Sequence, residues 1–176
     1  KKLRVNLLLG GSHFSEQNGM SGNFIKRKIK EEILEIKYKT TTTNNCEEYY
    51  KKLQSIYNLT KLYNFNWVFF VGDRWEILPI ANLFFNLGLK IIHHSGGDYT
   101  AGSADNNHRF AMSFISHLHL VALPEHKERL IKIGIDQDKI KVVGEPALNQ
   151  KELISEFGNL AEKYSLEKKK YLLCTL

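Results

Sequence analysis

Short apolar runs recur along the chain, and the segments between them carry apolar residues at helical spacing. Arg4–Leu9 reads as a strand ending at Gly10-Gly11. A polar loop with His13, Asn18, Gly19, Ser21 and Gly22 follows, then a short basic helix over Phe24–Glu32 and a strand over Ile33–Tyr38. The threonine and asparagine stretch 40–45 predicts a loop that opens a helix. Along that helix, Glu47–Tyr63, the residues Tyr50, Leu53 and Ile56 or Tyr57 share one side and Lys61 faces outward. Trp67–Val71 is apolar at every position, which predicts a strand buried on both sides. Gly72-Asp73-Arg74 breaks it. A helix from about Trp75 to Asn86 tolerates Pro79 near its first turn, and Gly88 stops it. Leu89–His93 is the next strand. Beyond it the pattern gives a helix over Asp105–His117, a strand over Leu118–Ala122 and a helix over Pro124–Ile133 closed by Gly134. It then gives a strand over Ile140–Val143, a helix over Asn149–Tyr164 and a last strand starting in Lys170–Thr175.

Strand and helix alternate, and several strands are apolar throughout. The predicted class is α/β: a Rossmann-like parallel sheet with helices on both faces. In such sheets ligands bind outside the carboxyl ends of the strands. Gly10-Gly11, Gly72-Asp73-Arg74, the 94–105 loop and Gly144-Glu145-Pro146 all fall at that edge.

Composition narrows the function classes. The chain has 176 residues, 43% hydrophobic and 25% charged, which fits one soluble domain with its own core. No apolar run reaches about 18 residues, so no membrane span is expected. The first residues read as a strand and not as a signal peptide. Cys46 and Cys174 are far apart and in no metal spacing, which fits a reducing, cytoplasmic setting. The sequon Asn58-Leu59-Thr60 lies inside a predicted helix and reads as chance. The formal charge is +6, but much of the lysine sits in the runs Lys26–Lys30 and Lys168–Lys170. These read as solvated helix faces and a linker rather than a nucleic-acid groove. The positive field suits an anionic ligand.

The motifs exclude two common chemistries. No G-x-G-x-x-G follows the first strand, so the dinucleotide fingerprint is absent. Gly97-x4-Gly102 matches half a P-loop, but Ser103-Ala104 stands where Lys-Ser/Thr is required. What remains is a group of carboxylates and a guanidinium. Asp73 directly follows a strand, and it is either a helix cap or a functional group beside Arg74 and Glu76. Asp98 follows Gly96-Gly97 and opens no helix. Asp105 either caps the next helix or pairs with Arg109 four residues on. Together Asp73, Asp98, Asp105 and Arg109 can move protons and hold an anion. His93 and His94 adjoin on a strand and point to opposite faces, one packed and one at the edge. His117 and His119 straddle a helix end with no carboxylate at ligand spacing, so no zinc site is read there. His13 lies in the loop after the first strand, either solvated or bordering the site. Phe65, Trp67, Phe69, Phe70, Phe84 and Phe85 read as core.

Several ordered blocks carry a resemblance. They are Gly72-Asp73-Arg74-Trp75-Glu76, Gly96-Gly97-Asp98-x3-Gly102-x2-Asp105-x3-Arg109, Ser116-His117-x-His119 and Val143-Gly144-Glu145-Pro146. Over most of residues 3–149 the chain resembles the hydrolysing UDP-N-acetylglucosamine 2-epimerases that serve sialic, legionaminic and related nonulosonic acid pathways. The resemblance implies one half of a glycosyltransferase-B-like architecture, with a nucleotide-sugar in the cleft between two Rossmann-like domains. It implies no metal and no nicotinamide. It implies UDP elimination to a glycal and addition of water with inversion at C2, which yields free N-acetylmannosamine or a diacetamido analogue. By this resemblance Asp73, Asp98 and Asp105 are the catalytic candidates. Arg74, Gly96, Gly97, Arg109 and His13 are the substrate-binding candidates.

The departures from the family pattern are specific. Asp98 stands where glutamate is usual, Phe110 where histidine is, Phe114 where lysine is, and Asn149 where aspartate is common. The resemblance also implies the domain organisation. Residues 1–150 match the first domain without its first strand–helix unit, and residues 151–176 a linker helix and the start of the second domain. The second domain supplies most UDP contacts in that family, so little turnover is expected from residues 1–176 alone. The partner expected is a UDP-sugar, with no nucleic acid and no membrane. A homo-oligomer is left open. A non-catalytic nucleotide-sugar binding or assembly module, with Phe110 and Phe114 filling the cleft, and a glycosyltransferase fragment of the same architecture are the competing readings.

Overall fold

The computed structural model describes residues 4–36, 46–146 and Ser165. The loop read at 40–45, the helix read at Asn149–Tyr164 with Asn149 itself, the strand read at Lys170–Thr175 and Cys174 lie outside them. Six strands are described: β1 (Asn6–Gly10), β2 (Glu32–Ile36), β3 (Trp67–Val71), β4 (Lys90–His94), β5 (Leu118–Val121) and β6 (Ile140–Val142). Five α-helices connect them: α1 (Ser21–Lys28), α2 (Cys46–Leu62), α3 (Ile77–Asn86), α4 (Asp105–Ile115) and α5 (Pro124–Lys132). Every strand pair is parallel, as the alternation predicts.

The ladders fall into two groups. β1 pairs with β2, and β3, β4, β5 and β6 lie side by side in that order. Among the described residues no ladder joins β1 to β3. Yet Leu8 of β1 packs on the same apolar cluster as Val68 and Phe70 of β3, beneath Tyr49 and Ile56 of α2 and Ile80 and Phe84 of α3.

Strand order decides which face is covered. Parallel crossovers are right-handed, so strands laid down one after another in a single direction send all their helices to the same face. The packing agrees. Val68 and Ile91 are register partners, as are Phe70 and His93, and therefore share a face. Ala81 of α3 and Met112 of α4 close over Ile91. Leu130 of α5 packs with Val121 and Ile140. The four-stranded sheet thus carries α2 to α5 on one face. On the other, Trp67, Phe69 and Val71 are 47, 52 and 57% exposed. This corrects two expectations. Among the described residues β3 is an edge strand with its second face half-exposed, not a strand buried on both sides. Of the aromatics read as core, Trp67, Phe69 and Phe85 are exposed, while Phe84 is buried and Phe65 and Phe70 pack against it.

Helix limits shift for local reasons. The first helix starts three residues before Phe24 and ends at Lys28, its last turn carrying Lys26, Arg27 and Lys28 at the negative end of the helix dipole. Ile29 is already extended, and Glu32 belongs to β2. The sequon lies within α2, as read. No described helix is long and apolar enough to cross a membrane.

Candidate active site

Because β3 and β4 are parallel and in register, their following loops leave the same sheet edge. Gly72 extends the ladder by one bond, its N–H donating to the His94 carbonyl at 3.3 Å. The chain then turns, and α3 begins only at Ile77 with Glu76 as its cap residue. Asp73 is therefore not the cap of that helix. Its carboxylate is paired with the Arg109 guanidinium, and both side chains are largely buried. Arg109 is likewise no surface partner of Asp105.

The second strong feature is a residue that the sequence reading did not single out. Asn106, buried in the first turn of α4, accepts from Arg109 Nη1 at 2.8 Å and from Thr100 N–H at 3.0 Å through its Oδ1. Its amide donates to the carbonyls of Thr100 and Ser103 at 2.6 and 3.0 Å. One side chain so ties the 100–103 turn to the Asp73–Arg109 pair. Its only sequence signal is an asparagine in the first turn of a helix, which is common at helix starts.

Asp98 lies on the turn before, half-exposed. Its Oδ1 accepts from the Tyr99 N–H at 2.7 Å and lies 3.6 Å from His126 Nε2 on α5. Arg129, one turn further along α5, donates to the Gly97 carbonyl and lies over the Tyr99 ring. His126 and Arg129 were also missed, because α5 reads as an ordinary amphipathic helix. Gly97, at φ +75°, is packed so closely on this helix that a Cβ would run into the His126 carbonyl.

The other candidates have contacts of their own. Arg74 forms an ion pair with buried Glu76 at 2.8 Å, and about half of its side chain is exposed. Asp105 is exposed in the first turn of α4, with its N–H bonded to Ser103 Oγ at 3.2 Å. His13 sits in the 3₁₀ turn after β1, its Nδ1 2.9 Å from Ser21 Oγ. Phe110 is half-buried, whereas Phe114 is 62% exposed.

The histidines depart from the reading. His93 and His94 are both buried, since β4 is flanked by strands on both sides. His94 Nδ1 is 2.9 Å from Ser95 Oγ. His93 and His119, register partners on β4 and β5, are fully buried, and burial pulls each imidazole down to about 4. His117 accepts the Ile91 N–H through Nδ1 at 3.1 Å, a structural role at the start of the ladder. Among the described residues no three His, Cys, Asp or Glu side chains converge as metal ligands would.

The sequence model of the family described as UDP-N-acetylglucosamine 2-epimerase matches residues 1–176. The chain belongs to that family. A GDP/UDP-N,N'-diacetylbacillosamine 2-epimerase (hydrolyzing) of Campylobacter jejuni is 25% identical over 98% of this chain and 47% of its own length. A UDP-N,N'-diacetylbacillosamine 2-epimerase (hydrolyzing) of Legionella pneumophila is 37% identical over 47% of this chain and 22% of its own. The chain thus spans less than half the length of these curated relatives. Among solved structures, the UDP-GlcNAc 2-epimerase of Neisseria meningitidis bound to UDP-GlcNAc aligns at a TM-score of 0.65 and 14% identity, over 96% of this chain and 54% of that one. A putative UDP-N-acetylglucosamine 2-epimerase of Listeria monocytogenes aligns at 0.68 and 17%, over 95% and 41%. The fold is that of the epimerases, glycosyltransferase-B-like and built on parallel strands.

Proposed function

We propose that this chain is the carboxylate-bearing half of a hydrolysing 2-epimerase acting on UDP-N-acetylglucosamine or a UDP-diacetamido analogue. The observation that carries the reading is the buried Asp73–Arg109 pair, held beside the Gly96-Gly97-Asp98 turn at the carboxyl edge of a parallel sheet. In the proposed reaction a carboxylate takes the C2 proton. The C1–O bond breaks, its electron pair leaves with UDP, and a C1–C2 double bond forms. Water then adds its oxygen to C1 while a proton is returned to the opposite face of C2. Asp98 and Asp105 are open to a ligand and suit the proton transfers. Asp73 is engaged by Arg109 and orients that guanidinium, whose positive charge suits alignment of the anionic leaving group. Family membership and the hydrolysing 2-epimerase activity of the relatives support this chemistry.

In this reading residues 1–150 form the Rossmann-like domain and residues 151–176 lead to a second one. The shared cluster under β1 and β3, with no ladder between them, fits a sheet that admits one more parallel strand at that position. Exposed Phe114 weakens the reading in which Phe110 and Phe114 plug the cleft. The test is proton and phosphorus NMR of UDP-N-acetylglucosamine, and separately its diacetamido analogue, with the longest chain the reading frame encodes. Free UDP with an N-acetylmannosamine-type sugar is the expected result. Two unchanged spectra from a folded two-domain chain would overturn the reading.

A further inference from the structure

The His93 imidazole is fully buried, and no step of the proposed reaction uses it. The parallel registers put it in a row across the sheet, Phe70–His93–His119–Ile140, on the helix-covered face. Its Nε2 is 3.0 Å from the Gly72 carbonyl oxygen. A carbonyl only accepts, so Nε2 carries the proton and Nδ1 keeps a lone pair. Burial favours this uncharged form, outweighing the Gly72 carbonyl and the Asp73 charge, which both pull the other way.

The opposite side of the ring meets the other loop. A Cβ at Gly96 would stand 3.1 Å from His93 Nδ1, and 3.4 Å from both His119 Nδ1 and Ser113 Oγ. A side chain at Gly96 would crowd both imidazoles, so the glycine lets the turn lie this close. One imidazole therefore bonds to the residue before Asp73 and stands over the bare Cα side of the residue two before Asp98.

We propose that His93 is a positioning residue that holds the Asp73 loop and the Asp98 loop in fixed relation, by its bond to the Gly72 carbonyl and by filling the space where Gly96 has no side chain. Gly72 is gripped at both ends, by the His94 carbonyl on its N–H and by His93 on its own carbonyl. Asp73 follows directly, so a shift of the Gly72 carbonyl moves the carboxylate against Arg109. Arg109 cannot follow freely. Asn106 holds its guanidinium, and Ser113 Oγ donates to its carbonyl at 3.0 Å. The groups acting on the ring are Asp73, Arg109, His94 and the equally buried His119. Sealed from solvent, His93 exchanges no proton with a ligand and acts through Asp73.

This deepens the epimerase reading, and the first arm of its test does not depend on that reading. Long-range nitrogen–proton NMR of the full chain at neutral pH is expected to show His93 protonated at Nε2. His93→Leu is expected to shift the Gly72–Arg74 amides and the Arg109 guanidinium. His93→Gln, whose amide N–H reaches about as far as Nε2, is expected to leave them near their original places. The second arm is kinetic and uses the full-length enzyme. His93→Leu should lower kcat by about 100-fold with KM little changed, and His93→Gln should restore most of it. If His93→Leu does not fold, His93→Asn, whose shorter amide falls short of Gly72, takes its place with the same expectation. A proton on Nδ1, or a folded variant without the Gly72 bond that keeps full kcat, overturns the proposal. Expected NMR results with no turnover by the unaltered enzyme would sink the epimerase reading and leave the positioning of the loops standing.

Discussion

Arg109 on α4 and Asp73 behind β3 form a buried ion pair across a separation of 36 positions in the chain. It pins a crossover helix to the loop of a strand that is not adjacent to that helix in sequence. Arg109 also donates to Asn106, so the loop after β4 is fixed by the same side chain.

Removing one member of such a pair leaves the other charge buried. Arg109→Met should therefore cost about 3–5 kcal/mol in urea unfolding. Asp73→Asn should cost less, because the amide oxygen still accepts from the guanidinium. The double variant should be more stable than the sum of the two losses predicts. Additive losses would mean that the two side chains do not interact in solution.

Gly97 and Gly102 give a controlled comparison within one loop. Both have positive φ, +75° and +76°, but only Gly97 faces a backbone carbonyl at the position of a Cβ. Gly102→Ala should cost about 1–2 kcal/mol for the left-handed conformation alone. Gly97→Ala should cost clearly more, because α5 must move away and Arg129 loses the Gly97 carbonyl. Equal losses in thermal unfolding would show that α5 does not press on the turn.

The strands, their parallel order and the loop edge were legible because apolar runs and glycine breaks are local signals. The covered face was not. Trp67, Phe69 and Val71 look identical in composition to Val68 and Phe70, and only strand order tells which set meets a helix. At the site, Asp73 and Arg109 were picked out as chemistry, but their pairing rests on the β3–α4 placement, which no spacing encodes. Asn106, His126 and Arg129 were missed for the same reason: each acts through a turn folded back against its helix.

Acid should destabilise the fold through His93 and His119. Both sit near 4 in the folded chain against about 6.5 for a free imidazole. Between those values the unfolded chain binds more protons. The stability is complete above about pH 6.5 and is lost as pH falls toward 4. Each ring steepens the loss by up to about 1.4 kcal/mol per pH unit. His119 has no hydrogen-bond partner on either nitrogen among the described residues, so His119→Leu should flatten the profile at little cost near neutrality. A slope unchanged by that substitution, read from urea midpoints at several pH values, would contradict the burial argument.

The half-exposed face of β3 should respond to surface substitution. Phe69→Thr with Val71→Thr keeps residues that favour strands and removes exposed apolar area. Stability should change by no more than about 0.5 kcal/mol. Concentration-dependent self-association, followed by light scattering, should fall. A large loss of stability would mean that this face is covered in the intact protein.

Asp98 decides whether the site is built for this chemistry with a shorter carboxylate. Its oxygen is held by the Tyr99 N–H and lies near His126, so the turn presents the carboxylate from a fixed point and has no need of a longer arm. Asp98→Asn removes proton transfer and keeps shape; in the full-length enzyme kcat should fall by about 100-fold or more. Asp98→Glu lengthens the arm by one methylene while Arg129 still anchors Gly97, so the carboxylate overshoots and kcat should fall by about 10-fold. If Asp98→Glu instead raises kcat, the turn is set back from the substrate and the shorter residue is a handicap. If Asp98→Asn leaves kcat intact, Asp98 carries no proton and the acid–base work belongs to Asp105.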